Sequence, residues 1–253
     1  MNDNSPEPGA SPSVPPVGNG ARRLPQTVVS WAIAGLCVLV WLAEELAGGS
    51  TSTRVLVEFG AKVNPLIEQG EYWRLITPVF IHIGLMHLAF NMVALLTIGR
   101  IGEIVFGHTR FLAIYLISGV TGVLLSYLMT RSLSAGASGA IFGIVGAMIA
   151  FGLRNRGTPG LNVRAQLQSM LWIVAVNAVW GVAQPGIDNW GHAGGLLGGL
   201  VAGAALSPKV VATRNEEGQI VALRRQPSET TSWAIVPAAV LAVAAIVALV
   251  PGR

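Results

Sequence analysis

Apolar residues run along most of this chain in blocks of about twenty that carry almost no charge. Stretches free of Asp, Glu, Lys and Arg cover 24 to 43, 75 to 99, 111 to 130, 132 to 153, 165 to 187, 189 to 208 and 230 to 252. A helix needs roughly 20 mostly apolar residues to cross about 30 Å of hydrocarbon, so the pattern predicts seven membrane-spanning helices. Two of them begin late. The run from 75 contains Thr77-Pro78 and two histidines, which predicts an interfacial loop and a helix from near Gly84. The run from 132 opens with Ser and Gly residues and predicts helix only from about Ser138. Ahead of the first block, residues 1–26 hold six prolines among Ser, Gly and Asn with no apolar period, which predicts a disordered tail. Residues 27–207 then form a six-helix membrane domain, 208–231 a cytoplasmic linker, and 232–250 a seventh helix.

Composition strengthens this picture. Only 11% of the 253 residues are charged, against roughly 25% in a soluble domain, so the exterior cannot be covered with charge in the usual way. The fold class expected is an all-α polytopic membrane protein. The formal charge of +4 is explained by topology, which removes nucleic acid as a partner. With the N-terminus cytoplasmic, eleven Lys and Arg residues fall inside and five outside (Arg54, Lys62, Arg74, Arg131, Arg253), which also puts the C-terminus outside. All sixteen are read as topology and solvation, with Trp73 and Arg74 read as an interfacial anchor in which Arg74 can also bond within its loop. The single cysteine, Cys37, lies in an apolar run and excludes an intramolecular disulfide or a multi-cysteine metal site.

Polar groups at membrane depth are costly, so those inside the spans are functional candidates. Spans 2, 4 and 6 all run inward from the outer face, and each carries polar residues close to its start. These are His82, His87 and Asn91 before and in span 2, Ser138 in span 4, and His192 in span 6; Asn177 lies alone in span 5. His87 and Asn91 are four apart and share one helix face. Small residues recur every fourth position at Gly191, Gly195, Gly199 and Gly203 and at Gly139, Gly143 and Ala147, stripes that let two helices approach closely in lipid. Packing them together sets the Ser138 hydroxyl beside the His192 imidazole, a nucleophile with its base. His87 and Asn91 would then supply donors for an oxyanion. No Asp or Glu lies in these three spans at that depth, which predicts a dyad rather than a triad.

At these residues the chain resembles the rhomboid intramembrane serine proteases, over about residues 24 to 207. The matching features are His82, His87 and Asn91, the Gly-x-Ser-Gly at Gly136 to Gly139, and His192 followed by Gly195 and Gly199. Trp73-Arg74 and Gly102-Glu103 also match. The resemblance implies a six-helix core plus a seventh C-terminal transmembrane helix. It implies Ser138 as nucleophile, His192 as base, His87 and Asn91 at the oxyanion site, and supporting places for His82, Gly136, Phe142, Trp73 and Arg74. Phe142 stands where the family often has Tyr, keeping the ring without its hydroxyl. Transmembrane proteins cut near the outer face of a bacterial plasma membrane are the implied substrates, and the lipid bilayer the implied partner. No cofactor is expected, and no metal, since His82, His87 and His192 lack a carboxylate or thiolate to complete a site. An inert client-binding relative would usually lack the serine or histidine, and a transporter would show repeat symmetry that the sequence does not have.

Overall fold

The computed structural model describes residues 26–183, 186–226 and 233–249. All but the last residue of the tail expected at 1–26 lies outside them, as does the side chain of Asn177. Among the described residues the chain is almost wholly helical. After α1 (Val28–Leu46) comes a long loop folded around α2 (Thr53–Phe59), α3 (Asn64–Glu68) and two 3₁₀ turns, Tyr72–Leu75 and Thr77–Phe80. Then follow α4 (Gly84–Ala94), which passes through a wide turn into α5 (Arg100–Phe106), α6 (His108–Met129), α7 (Ser138–Arg154), α8 (Val163–Ala183) and α9 (Asn189–Leu206). Three stretches, 28–46, 84–106 and 108–129, are long and apolar enough to cross a membrane, and 138–154 and 163–176 are shorter apolar helices. Helix starts at Gly84 and Ser138 fall where the Pro and Gly punctuation puts them.

Helix α7 is the centre of the bundle, with residues 140–148 all buried. Its packing against α9 is backbone on backbone. A Cβ added to Gly195 would fall on the Gly139 carbonyl oxygen, one on Gly199 on the Gly143 carbonyl oxygen, and one on Gly203 on Ala147. A Cβ on Gly122 of α6 would come within 2.7 Å of the Gly191 carbonyl oxygen, so α6 enters the same close contact. Such proximity depends on glycine, and it sets α7 and α9 at a fixed depth relative to each other.

Glu103 shows how α1 is fixed. Its carboxylate is buried and accepts hydrogen bonds from the backbone N–H groups of Val29 (2.9 Å) and Ser30 (2.8 Å), and from the Ser30 hydroxyl (2.6 Å). It thus caps the first turn of a helix that has no cap of its own. His108 Nδ1 lies 2.5 Å from the same carboxylate, so His108 is a partner of Glu103 and not simply solvated. Glu103→Ala leaves two N–H groups without acceptors and is expected to lower stability by about 2–3 kcal/mol, measured by thermal unfolding in detergent.

Three sequence expectations change. The linker holds a two-stranded antiparallel hairpin, β1 (Val210–Arg214) and β2 (Ile220–Arg225), because Val and Thr in the first half and Ile and Val in the second favour strand and Gly218, at φ +80°, serves the turn. Arg225 reaches the Ile104 carbonyl near the C-terminal end of α5, and Gln226 N–H donates to the Lys209 carbonyl across the hairpin's open end. Beyond it lies α10 (Ile235–Leu249). Lys62 is buried rather than solvated: the carbonyls around it need donors and its ammonium supplies them, while Arg74 bonds within its loop, the alternative its position allowed. Lastly, α1 runs past residue 43 and buries Glu44.

Candidate active site

Glycine contact between α7 and α9 brings the first turns of the two helices together. There Ser138 Oγ and His192 Nε2 lie 2.8 Å apart, so the hydroxyl donates to the imidazole when Nδ1 carries the ring proton. Phe142, one turn along α7, stacks on the imidazole with ring centres 4.5 Å apart and planes 15° apart. That contact holds the ring face without any hydroxyl. No other side chain among the described residues bonds to His192.

The loop before Ser138 is shaped by Gly136, whose φ of +130° disfavours any side chain. A Cβ there would stand 2.8 Å from His87 Nε2 and 3.8 Å from Ser138 Oγ, so the His87 ring and the serine border one small space. His87 Nδ1 accepts from the Ile83 N–H at 3.3 Å, which leaves Nε2 to carry the proton and face that space. Asn91 is buried, donates one amide hydrogen to the His87 carbonyl at 2.9 Å, and lines the cavity beside Ser138. His82 is fully buried, its Nε2 accepting from the Ala137 N–H at 3.4 Å and its Nδ1 3.3 Å from the Phe80 carbonyl. It therefore braces the peptide just before the serine. Trp73 and Arg74 stay within the loop between α1 and α4: the guanidinium donates to the Val57 and Ala61 carbonyls and to Glu71, and lies over the Trp73 ring.

A cavity of about 150 Å³ opens beside the pair, between α4, α7, α8 and α9. Asn91, Ser138 and His192 form its polar end, with Phe90, Ile98 and Ile173 among its apolar walls. Such a space has room for an apolar side chain beside the serine. The first turn of α7 adds backbone N–H groups that have no acceptor within the helix.

Two residues near the pair were not expected. Asp188 caps α9, accepting from the Gly191 N–H at 2.8 Å, and its other oxygen accepts from the Ser134 hydroxyl at 2.5 Å. An Asp directly before an apolar run is a helix-start signal, and it could have been read from the sequence. Nearby, burial pushes the Lys62 ammonium down to about 8, while the Asp188 carboxylate acts in the opposite direction.

Comparison with known proteins gives the family. Residues 69–209 match the model of the Rhomboid domain family. The chain is 46% identical over 177 residues to the Rhomboid protease GluP of Bacillus subtilis (strain 168), covering 70% of this chain and 34% of that one. It is 40% identical over 154 residues to RHOMBOID-like protein 1 of Arabidopsis thaliana, 60% of this chain and 39% of the relative. RHOMBOID-like protein 6, mitochondrial, from the same plant is 42% identical over 161 residues, 63% of this chain and 51% of the relative. The matches thus span about a third to a half of the relatives' own length.

Proposed function

The chain belongs to the rhomboid family of multi-pass membrane proteins, and from that premise we propose that it is an intramembrane serine protease in which Ser138 and His192 do the covalent chemistry. The observation that carries this is the 2.8 Å approach of Ser138 Oγ to His192 Nε2 at the polar end of an otherwise apolar cavity. Ser138 Oγ attacks the peptide carbonyl carbon while its proton passes to His192 Nε2. His87 Nε2–H, the Asn91 amide and a first-turn N–H of α7 stabilise the oxyanion that forms. His192 then protonates the leaving amine, and water, deprotonated by the same imidazole, frees the acyl group from Ser138.

The substrates are transmembrane proteins, and the core is read as six spans with α10 as a seventh, N-terminus cytoplasmic and C-terminus outside, in a bacterial plasma membrane. The hairpin joins the last two spans on the cytoplasmic side. Because a helical carbonyl is already hydrogen-bonded, the substrate must unwind locally to reach Ser138, which favours small or helix-breaking residues at the cut. Entry is lateral, between α4 and α8, where the cavity opens.

A fluorophosphonate probe on detergent-solubilised protein tests the reading. Labelling of the wild type that is lost in Ser138→Ala and His192→Ala, at equal folded amounts, supports an activated serine. A folded but unlabelled wild type overturns it in favour of a client-binding relative. Asn91→Ala is expected to lower kcat by roughly 10²-fold while the serine still reacts with the probe, because the lost donor serves the transition state and not the nucleophile. Cleavage of a reporter with a single transmembrane helix measures the first effect and gel fluorescence the second.

A further inference from the structure

We infer that Asp188 is a positioning residue for the proposed dyad: together with Ser134 and Lys62 it clamps the loop that carries Ser138 to the helix that carries His192. This rests on the protease reading above and adds a part of the site that neither the dyad nor the oxyanion donors include.

The clamp has three connected contacts. Ser134 lies four residues before the nucleophile and Asp188 four before the base, and their side chains meet at 2.5 Å. The second Asp188 oxygen holds the Gly191 N–H at 2.8 Å, which fixes the first turn of α9 one residue before His192. On the far side, the Ser134 backbone pairs with that of Lys62, N–H to carbonyl in both directions, at 2.9 and 3.3 Å. Lys62 is itself tied at several points. Its buried ammonium donates to the carbonyls of Ser126, Thr130 and Ser132 and to the Ser126 hydroxyl, closing the C-terminal end of α6. The outer loop, the end of α6, the loop before α7 and the start of α9 are therefore joined at one corner.

Why the dyad needs this follows from its other contacts. Glycines fix how deep α7 and α9 sit, but they offer no side chain to resist a small rotation of α9 about its own axis. Phe142 stacks on the imidazole face and tolerates sliding in its plane, and among the described residues no carboxylate bonds to His192. Beside the Ser138–His192 hydrogen bond itself, the Asp188 side chain is a polar tie from the first turn of α9 to the loop that leads into α7. Misplacement by about 1 Å at a proton-transfer pair costs on the order of 10²-fold in rate.

Four variants separate positioning from simple helix capping. Asp188→Ser still caps α9 but offers one oxygen and cannot also reach Ser134. Asp188→Asn caps with its Oδ1 and can donate from Nδ2 to the Ser134 hydroxyl, restoring both contacts. Ser134→Ala removes the tie from the other side, and the Ser134→Ala/Asp188→Ser double variant tests whether the two act as one. Asp188→Ser and Ser134→Ala are expected to lower kcat for a transmembrane reporter by roughly 10- to 100-fold with KM unchanged. The double variant should fall no further, and Asp188→Asn should return to within about threefold of wild type. Wild-type kcat in Asp188→Ser, an additive double variant, or failure of Asp188→Asn to rescue overturns the proposal. Amide hydrogen exchange of the segment from Gly191 to Gly194 gives a readout independent of activity. Faster exchange in Ser134→Ala supports the clamp even if the wild type proves not to cleave, and unchanged exchange overturns it. An inactive wild type with an intact clamp therefore marks a failure of the protease reading alone.

Discussion

Ser138→Ala and His192→Ala, singly and together, are expected to bring reporter cleavage to one common floor, at least about 10³-fold below wild type. The two groups act as a unit: without the imidazole the hydroxyl stays protonated, and without the hydroxyl the imidazole has no nucleophile to activate. Their effects must therefore fail to add. Turnover surviving in His192→Ala, or a double variant far below either single one, would point to another base or nucleophile. Both substitutions shorten side chains at the rim of a cavity and leave the glycine contacts untouched, so the melting temperature of each variant is expected to stay close to that of the wild type.

Gly199→Leu is expected to be the most destabilising single change, costing at least about 3 kcal/mol and leaving little folded protein. The cause is steric and involves backbone. A Cβ at Gly199 collides with the Gly143 carbonyl oxygen, and neither atom belongs to a flexible side chain that could turn away. Helices α7 and α9 would have to separate, and with them Ser138 and His192. Gly35→Leu is the control: nothing lies within 4 Å of a Cβ there, so the same chemical change on an open face of α1 should leave stability nearly unaltered. Thermal unfolding of both variants in one detergent decides the matter. Equal losses would mean that the glycine stripe is ordinary helix packing.

Much of this was legible in the residues themselves. Charge-free runs located the helices, Pro78 and the glycines delayed the starts of α4 and α7, and four-residue glycine spacing picked the faces that meet. Parity did the rest, because helices running in one direction bring their first turns to one depth. What escaped lay where those rules do not apply. Asp188 sits one residue outside an apolar run, so a search confined to the runs passes over it, although it touches both halves of the site. Lys62 was counted as a solvated outer cation, yet a loop folded on itself has carbonyls to satisfy, and burial of its cations follows from that need rather than from hydropathy. The hairpin was hidden because its strands are short and interleave Arg with Val, Leu and Ile, a pattern that carries neither a helical period nor a clean alternation.

That hairpin also sets the range of α10. Twenty-five or so residues could let a helix roam widely, but Gln226 and Lys209 are hydrogen-bonded, so the excursion through both strands returns to where it began. From Gln226 only seven peptide steps remain to Trp233, about 25 Å at full stretch. Trp233 and Ile235 pack on the core at the end of this leash. A tether so short gives α10 an effective concentration on the order of millimolar at its docking face, so a thin contact suffices to keep it there.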